Sequence, residues 1–297
     1  MANTPVPLLN PLPARAARDR QRGQLLRTYV RNRAAVVGLF LTILVILASV
    51  AAPLLTPWDP FEQSPLVRLK PPDSAHLLGY DAFGRDILTR VLYAGRISLL
   101  VGMTSVALGG VVGVILGLAA GYFGGKTENI VMRFVDVVMA FPSLLLGLTV
   151  LAVLGPGLFN VILAIGIVLF PAFARVVHAI TLSLKRQQFV EAAQCIGASH
   201  SRIMLRHILP NALGEIVVLA SLWVASAIRI EASLSFIGLG VSPPTPTWGN
   251  MIRDGTVQLM NAPWVSIFPG IAIFVTVLGF NLLGDGLRDV MDPRLRK

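Results

Sequence analysis

Six apolar stretches limit what this chain can fold into. Ala34–Leu55, Ile97–Phe123 and Val265–Leu283 contain no charged residue. Phe134–Leu154 carries only Asp136, and Ile216–Gly238 carries Arg229 and Glu231. Leu158–Ala174 is shorter and runs on through Arg175 and His178 toward Leu184. At a rise of 1.5 Å per residue, about 20 apolar residues span the ~30 Å hydrocarbon core of a bilayer. Composition agrees. Hydrophobic residues make up 55% of the 297 and charged ones 13%, about half of the roughly 25% usual in soluble globular chains. The expected fold is an all-α membrane protein with six transmembrane helices.

The charges say which way such a bundle sits. The net charge is +10, and the basic residues are not spread evenly. Arg15, Arg18, Arg20, Arg22, Arg27, Arg31 and Arg33 precede the first stretch, against Asp19 alone. Arg175, Lys185, Arg186, Arg202 and Arg206 lie between the fourth and fifth stretches, against Glu191, and Arg288, Arg294, Arg296 and Lys297 follow the sixth. Thr56–Gly95 instead balances four basic residues against five acidic ones, and Gly240–Pro263 holds only Arg253 with Asp254. Positive charge favours the cytoplasmic side, so both termini and the segment between stretches four and five are expected there. The expected organisation is a basic cytoplasmic tail over 1–33, a first transmembrane helix over 34–55 and an extracytoplasmic segment over 56–95. A core over 96–288 and a cytoplasmic tail over 289–297 complete it. The basic start and long apolar run read as an uncleaved anchor, since a signal peptide's apolar core has only ~7–15 residues.

Other classes fall away. A single cysteine, Cys195, excludes an intrachain disulfide framework. The basic tails suit anionic membrane lipid, and no interleaving of aromatics with bases suggests nucleic acid. Gly125-Lys126-Thr127 resembles the end of a phosphate-binding loop, but an apolar helix precedes it where such a loop needs a buried strand. His178, His200 and His207 lack metal-ligand spacing, and no nucleophile–base pattern or paired carboxylates appear. No catalytic residue and no metal site are expected.

Several residues stand out. Ser105, Gly109, Gly113, Gly117 and Gly121 recur every four positions, which puts a row of small residues on one helix face and lets another helix approach closely. The row fits a sliding interface or a static seam. Charges inside spans are costly and need partners or water. Asp136 lies three residues after Arg133 and can pair with it. Arg229 and Glu231 are two apart, point to different sides of a helix, and each needs water or a partner on another helix. These three are candidate pathway or interhelical charges.

The cytoplasmic segment 188–211 reads as a helix–turn–helix hairpin. Phe189, Ala192, Ala193 and Ile196 follow helical spacing over a length too short to span, and Gly197 permits a sharp turn. Ser199 or Ser201 can cap a second short helix containing Ile203–Leu209, and Pro210 fits the first turn of the next one. Such a hairpin either docks a soluble partner or lies on the membrane surface.

Here the sequence resembles a known family. Glu191-Ala192-Ala193, then Gly197, then Ile208-Leu209-Pro210, is similar to the EAA motif of ABC importer permeases. His76-Leu77-Leu78-Gly79, Phe83-Gly84-Arg85-Asp86, Gly121-Tyr122-Phe123-Gly124-Gly125 and Phe141-Pro142 resemble the dipeptide/oligopeptide branch, second permease. So do Glu231-Ala232-Ser233-Leu234-Ser235-Phe236-Ile237-Gly238, Pro243–Asn250, and the run Asn281–Asp289 with Asp292-Pro293-Arg294. The likeness runs from about Arg27 to the end.

It implies a type I importer transmembrane domain in the bacterial cytoplasmic (inner) membrane. Its partners would be a homologous permease subunit, two ABC ATPase subunits and an extracytoplasmic substrate-binding protein. The resemblance makes 188–211 the loop that couples to the ATPases, with Glu191, Ala192, Ala193, Gly197, Ile208, Leu209 and Pro210 as its motif positions. ATP and Mg would act on the partners, and no cofactor would bind this chain. The implied cargo is di- or oligopeptides, with nickel, an opine or glutathione carried by close relatives. From the residues alone, a stand-alone secondary transporter is the competing class.

Overall fold

The computed structural model describes residues 32–291, in which every regular element is helical. The basic tail before Asn32 and the last six residues lie outside the described residues. Helix α1 covers Arg33–Val50, and the Asn32 side chain caps it by accepting from the Ala35 N–H at 3.2 Å. A short helix α2, Ala52–Leu55, follows with Pro53 in its first turn, where no N–H is needed. Residues 56–86 form an irregular cap that feeds α3, Ile87–Phe123. Asp86 caps α3 by accepting from the Thr89 N–H and Oγ1 at 2.7 and 2.6 Å. The helix therefore begins ten residues before the uncharged stretch does. At 37 residues it is about 55 Å long, well beyond the bilayer's hydrocarbon core.

The third apolar stretch is two helices, α4 (Gly125–Met139) and α5 (Ser143–Leu154), meeting at 90°. Phe141-Pro142 causes the break: proline lacks the N–H, and its ring pushes the preceding residue out of helical conformation. Helix α6, Leu158–Lys185, runs back through the bundle, and α7, Gln188–Cys195, follows it. Gly197, at φ +75°, makes the turn into α8, a 38-residue run over His200–Ile237 that contains one π-helical turn at Met204–Ile208. Gly238, at φ +99° in the left-handed region, ends α8. Helix α9, Trp248–Thr256, is capped by Thr247 Oγ1 accepting from the Asn250 N–H, and α10 covers Trp264–Met291. Among the described residues five helices are long and apolar enough to cross a membrane, or six if the bent α4–α5 pair counts as one span.

The core lies where α3, α5, α6, α8 and α10 meet, around Val101, Leu151, Ile165, Leu169, Phe173, Ile228, Leu234 and Val265. Between helices in lipid, close packing replaces the hydrophobic effect as the cohesive term. The α3–α6 seam shows how. The row of small residues on α3 faces α6 of the same chain. A methyl on Gly109, Gly113, Gly117 or Gly121 would lie 2.5–2.9 Å from the backbone carbonyl of Gly166, Phe170, Ala174 or His178. The row is thus an internal seam in which the two backbones nearly touch.

Contacts fix which ends go together. Asn32 Nδ2 donates to Asp289 Oδ2 at 2.8 Å, bringing the start of α1 to the end of α10. Trp264 Nε1 donates to the Tyr80 carbonyl and Trp248 Nε1 to that of Val91, so the 56–86 cap, α9 and the start of α10 share the opposite end. The cap is itself a polar knot. Arg85 donates to Asp81 at 2.6 Å, Arg90 donates to the Pro60 carbonyl, and His76 lies 2.9 Å from Asp86 and between the rings of Trp58 and Tyr80.

Candidate coupling hairpin and intramembrane charges

The hairpin begins where α6 ends. Helix α7 is amphipathic, and Val190 and Ala193 turn inward onto Leu118, Tyr122, Val177, Ile203 and Ile208. This face differs from the expected one. Phe189, Ala192 and Ile196 face outward, Ile196 with 84% of its surface exposed. Glu191 is also exposed, in the first turn of α7. Ser199 occupies the cap position before α8, but its side chain makes no capping bond; its Oγ lies 3.4 Å from that of Ser201.

The second limb is not a separate helix. Ile208 and Leu209 continue into the fifth span, and Pro210 is accommodated because the π turn before it has already shifted the hydrogen-bond ladder. Asn211 Nδ2 donates to the His207 carbonyl at 2.6 Å, supplying a side-chain donor beside the proline. Ile208 is fully buried and Leu209 half-buried, so these two anchor the hairpin, while Glu191, Ala192 and Pro210 are exposed.

Tyr122, Lys185 and Glu128, to which sequence reasoning gave no role, tie the hairpin and α4 to their neighbours. The Tyr122 hydroxyl lies 2.8 Å from His200 Nδ1. Lys185 Nζ donates to the Tyr122 carbonyl at 2.6 Å, and Glu128 Oε1 lies 2.9 Å from His178 Nε2, joining α4 to α6. Lysine at the end of α3 satisfies a carbonyl that has no helical partner and complements the helix dipole. Only the aromatic-glycine run 121–125 hinted at a special helix end.

The intramembrane charges part company. Asp136 pairs with Arg175 on α6, not with Arg133 on its own helix, and both side chains are about half exposed (59% and 51%). Arg133 is in reach on the same helix face, but α6 brings Arg175 across to Asp136. Arg229 is exposed and donates to Ser226 Oγ at 2.9 Å. Glu231, two residues on, is fully buried, and its partners are hydroxyls: Ser98 of α3 at 3.0 Å and Ser235 at 2.7 Å. The carboxyl thus links α3 to α8 within the core. Among the described residues no group of three or more His, Cys, Asp or Glu is placed to hold a metal ion.

This architecture has relatives. Residues 113–297 match the family described as the binding-protein-dependent transport system inner membrane component. Residues 21–72 match the N-terminal TM domain of oligopeptide transport permease C. The chain is 46% identical over 272 residues to the glutathione transport system permease protein GsiD of Pectobacterium atrosepticum, covering 91% of this chain and 90% of that one. It is 44% identical over 266 residues to the dipeptide transport system permease protein DppC of Alkalihalophilus pseudofirmus, covering 90% and 88%. The helices also superpose on a chain of the inward-facing MetNI methionine ABC transporter, with a TM-score of 0.57 at 20% identity over 68% of this chain and 97% of that one. At that identity the likeness speaks for the fold. Sequence, helices and arrangement agree that the chain belongs to the binding-protein-dependent transport system inner membrane component family, as a multi-pass protein of the inner membrane.

Proposed function

We propose that the chain is one permease half of an ATP-driven importer of di- or oligopeptides, and that residues 188–211 couple it to ATPase subunits. The observation that carries this reading is the hairpin. Helix α7 presents Glu191 beside exposed apolar Phe189 and Ile196, a surface suited to a protein partner. The positive-inside bias of 175–211 supports a cytoplasmic hairpin, with both termini on its side and the 56–95 segment outside. The partners in this reading are a homologous permease, two ATPase subunits that hold ATP and Mg, and an extracytoplasmic binding protein. Glutathione is the second reading, favoured by the GsiD relative and itself a tripeptide.

Proteoliposomes holding this chain, its partner permease and the ATPases test the proposal. With binding protein outside, they should take up labelled dialanine only when ATP is enclosed, and competition with glutathione separates the two cargoes. Uptake by this chain alone would refute the proposal. Glu191→Arg should leave membrane insertion intact and abolish ATP-dependent uptake.

A further inference from the structure

The hairpin could pass a push from its outer face along two routes: straight up α8, of which it is the beginning, or sideways into α3. The contacts differ sharply between them. Along α8, one π turn at Met204–Ile208 and then Pro210 interrupt the regular ladder within the hairpin's second limb, where it passes into the span. A π turn widens the helix, and a proline removes a backbone bond; both are places where helices bend. Toward α3 the connection is dense. Tyr122 is buried in the last turn of α3 and is held on both flanks of the hairpin: Lys185, just before α7, bonds its carbonyl, and His200, just after the turn, meets its hydroxyl. Lys185 also lies 5.6 Å from the Tyr122 ring centroid, and Phe123 packs edge-on against His200. Helix α3 is in turn locked to α6 by the glycine seam.

We propose that Tyr122 is a positioning residue that fixes the hairpin to the α3–α6 pair. Hairpin, α3 and α6 then move as one body, and α8 flexes at the π turn and Pro210. This rests on the coupling role of the hairpin proposed above. It assigns the route by which that role reaches the spans.

Distances between spin labels in the assembled complex test it, in a Cys195→Ser background. One pair joins Ser201→Cys to Ile115→Cys on α3; the other joins Ser201→Cys to Val217→Cys on α8, beyond the proline. Between nucleotide-free and ATP-trapped states, the first distance should stay constant and the second should change. A first distance that changes while the second stays fixed would overturn the proposal, as would two constant distances alongside normal ATP-driven uptake. Tyr122→Phe should broaden the first distribution and lower the dialanine moved per ATP by roughly three- to tenfold, the range set by loss of one neutral hydrogen bond. His200→Asn, whose amide stands where Nδ1 does, should restrain the pair better than His200→Leu. If Tyr122→Phe does not assemble, the His200 pair makes the same measurement, and equal behaviour of its two members refutes the joint. The two ideas fail separately. Normal uptake in Glu191→Arg sinks the coupling hairpin itself, whereas uncoupling there with wild-type behaviour in Tyr122→Phe sinks only the joint.

Discussion

Gly113→Ala isolates the α3–α6 seam with a single methyl. The added Cβ would lie 2.5 Å from the Phe170 carbonyl oxygen, 2.5 Å from Phe173 Cβ and 2.8 Å from the Ala174 nitrogen. Carbon contacts are comfortable at about 3.5–4.0 Å, so the helices must part by roughly 1 Å. Two of the three atoms are backbone, so no rotamer change relieves the overlap. Overpacking of this kind costs about 1–3 kcal/mol, and alanine's better helix propensity offsets up to about 1 kcal/mol. The net expectation is a loss of about 1–2 kcal/mol, a factor of roughly 5–30 in the folding equilibrium. Gly110→Ala is the internal control. The nearest atoms to its Cβ would be Phe173 ring carbons at 3.6–3.9 Å, ordinary contacts, so it should be neutral or stabilising by up to about 1 kcal/mol. Both variants are compared by equilibrium unfolding in mixed micelles, followed by tryptophan fluorescence. If Gly113→Ala is as stable as Gly110→Ala, the seam is looser than described and the reasoning fails.

Three further outcomes are expected. Glu231→Leu strips the acceptor from the Ser98 and Ser235 hydroxyls and should cost about 1–3 kcal/mol per orphaned group, whereas Glu231→Gln should recover most of it; equal stability of the two variants refutes a structural carboxyl. Asp86→Ala removes the acceptor for Thr89 and His76 together, with an expected loss of about 1–2 kcal/mol and faster proteolysis within 56–86; unchanged proteolysis would show that the cap is held without it. Asp136→Asn should change stability by less than about 1 kcal/mol, because the pair with Arg175 is half exposed; a loss of several kcal/mol would mean that it faces a dry environment.

How legible this was in the sequence depends on the scale of the interaction. Apolar runs of 20 residues announce spans because the bilayer admits little else, and the glycine row announces a close helix contact because four-residue spacing has one geometric meaning. Which helix fills that groove is a tertiary fact, and α6 carries no matching signal. Asp136 has Arg133 in reach along its own helix, yet pairs across to Arg175, because neighbours in sequence do not compete on equal terms with an adjacent helix. In α7 the inward face is set by Val190 and Ala193. The alternative stripe through Phe189 and Ile196 is as apolar on paper, and an eight-residue helix offers too few turns to separate the two. The 90° break was written in Phe141-Pro142, but its angle was not.

The glycine seam also works as a ruler. Because each glycine meets its own carbonyl on α6, the row fixes the number of residues along α3 as firmly as their identity. One residue inserted between Gly109 and Gly113 would rotate everything after it by about 100°, and Val112, Leu116 and Ala120 would arrive where glycines stood. The hairpin end would then be displaced relative to the cap at the far end of the same helix. Natural variation in length among sequences of this kind should therefore collect in 56–86 and around α9, where loops absorb it. Between Asp86 and Gly124 the chain is free to change its lipid-facing letters but not its count.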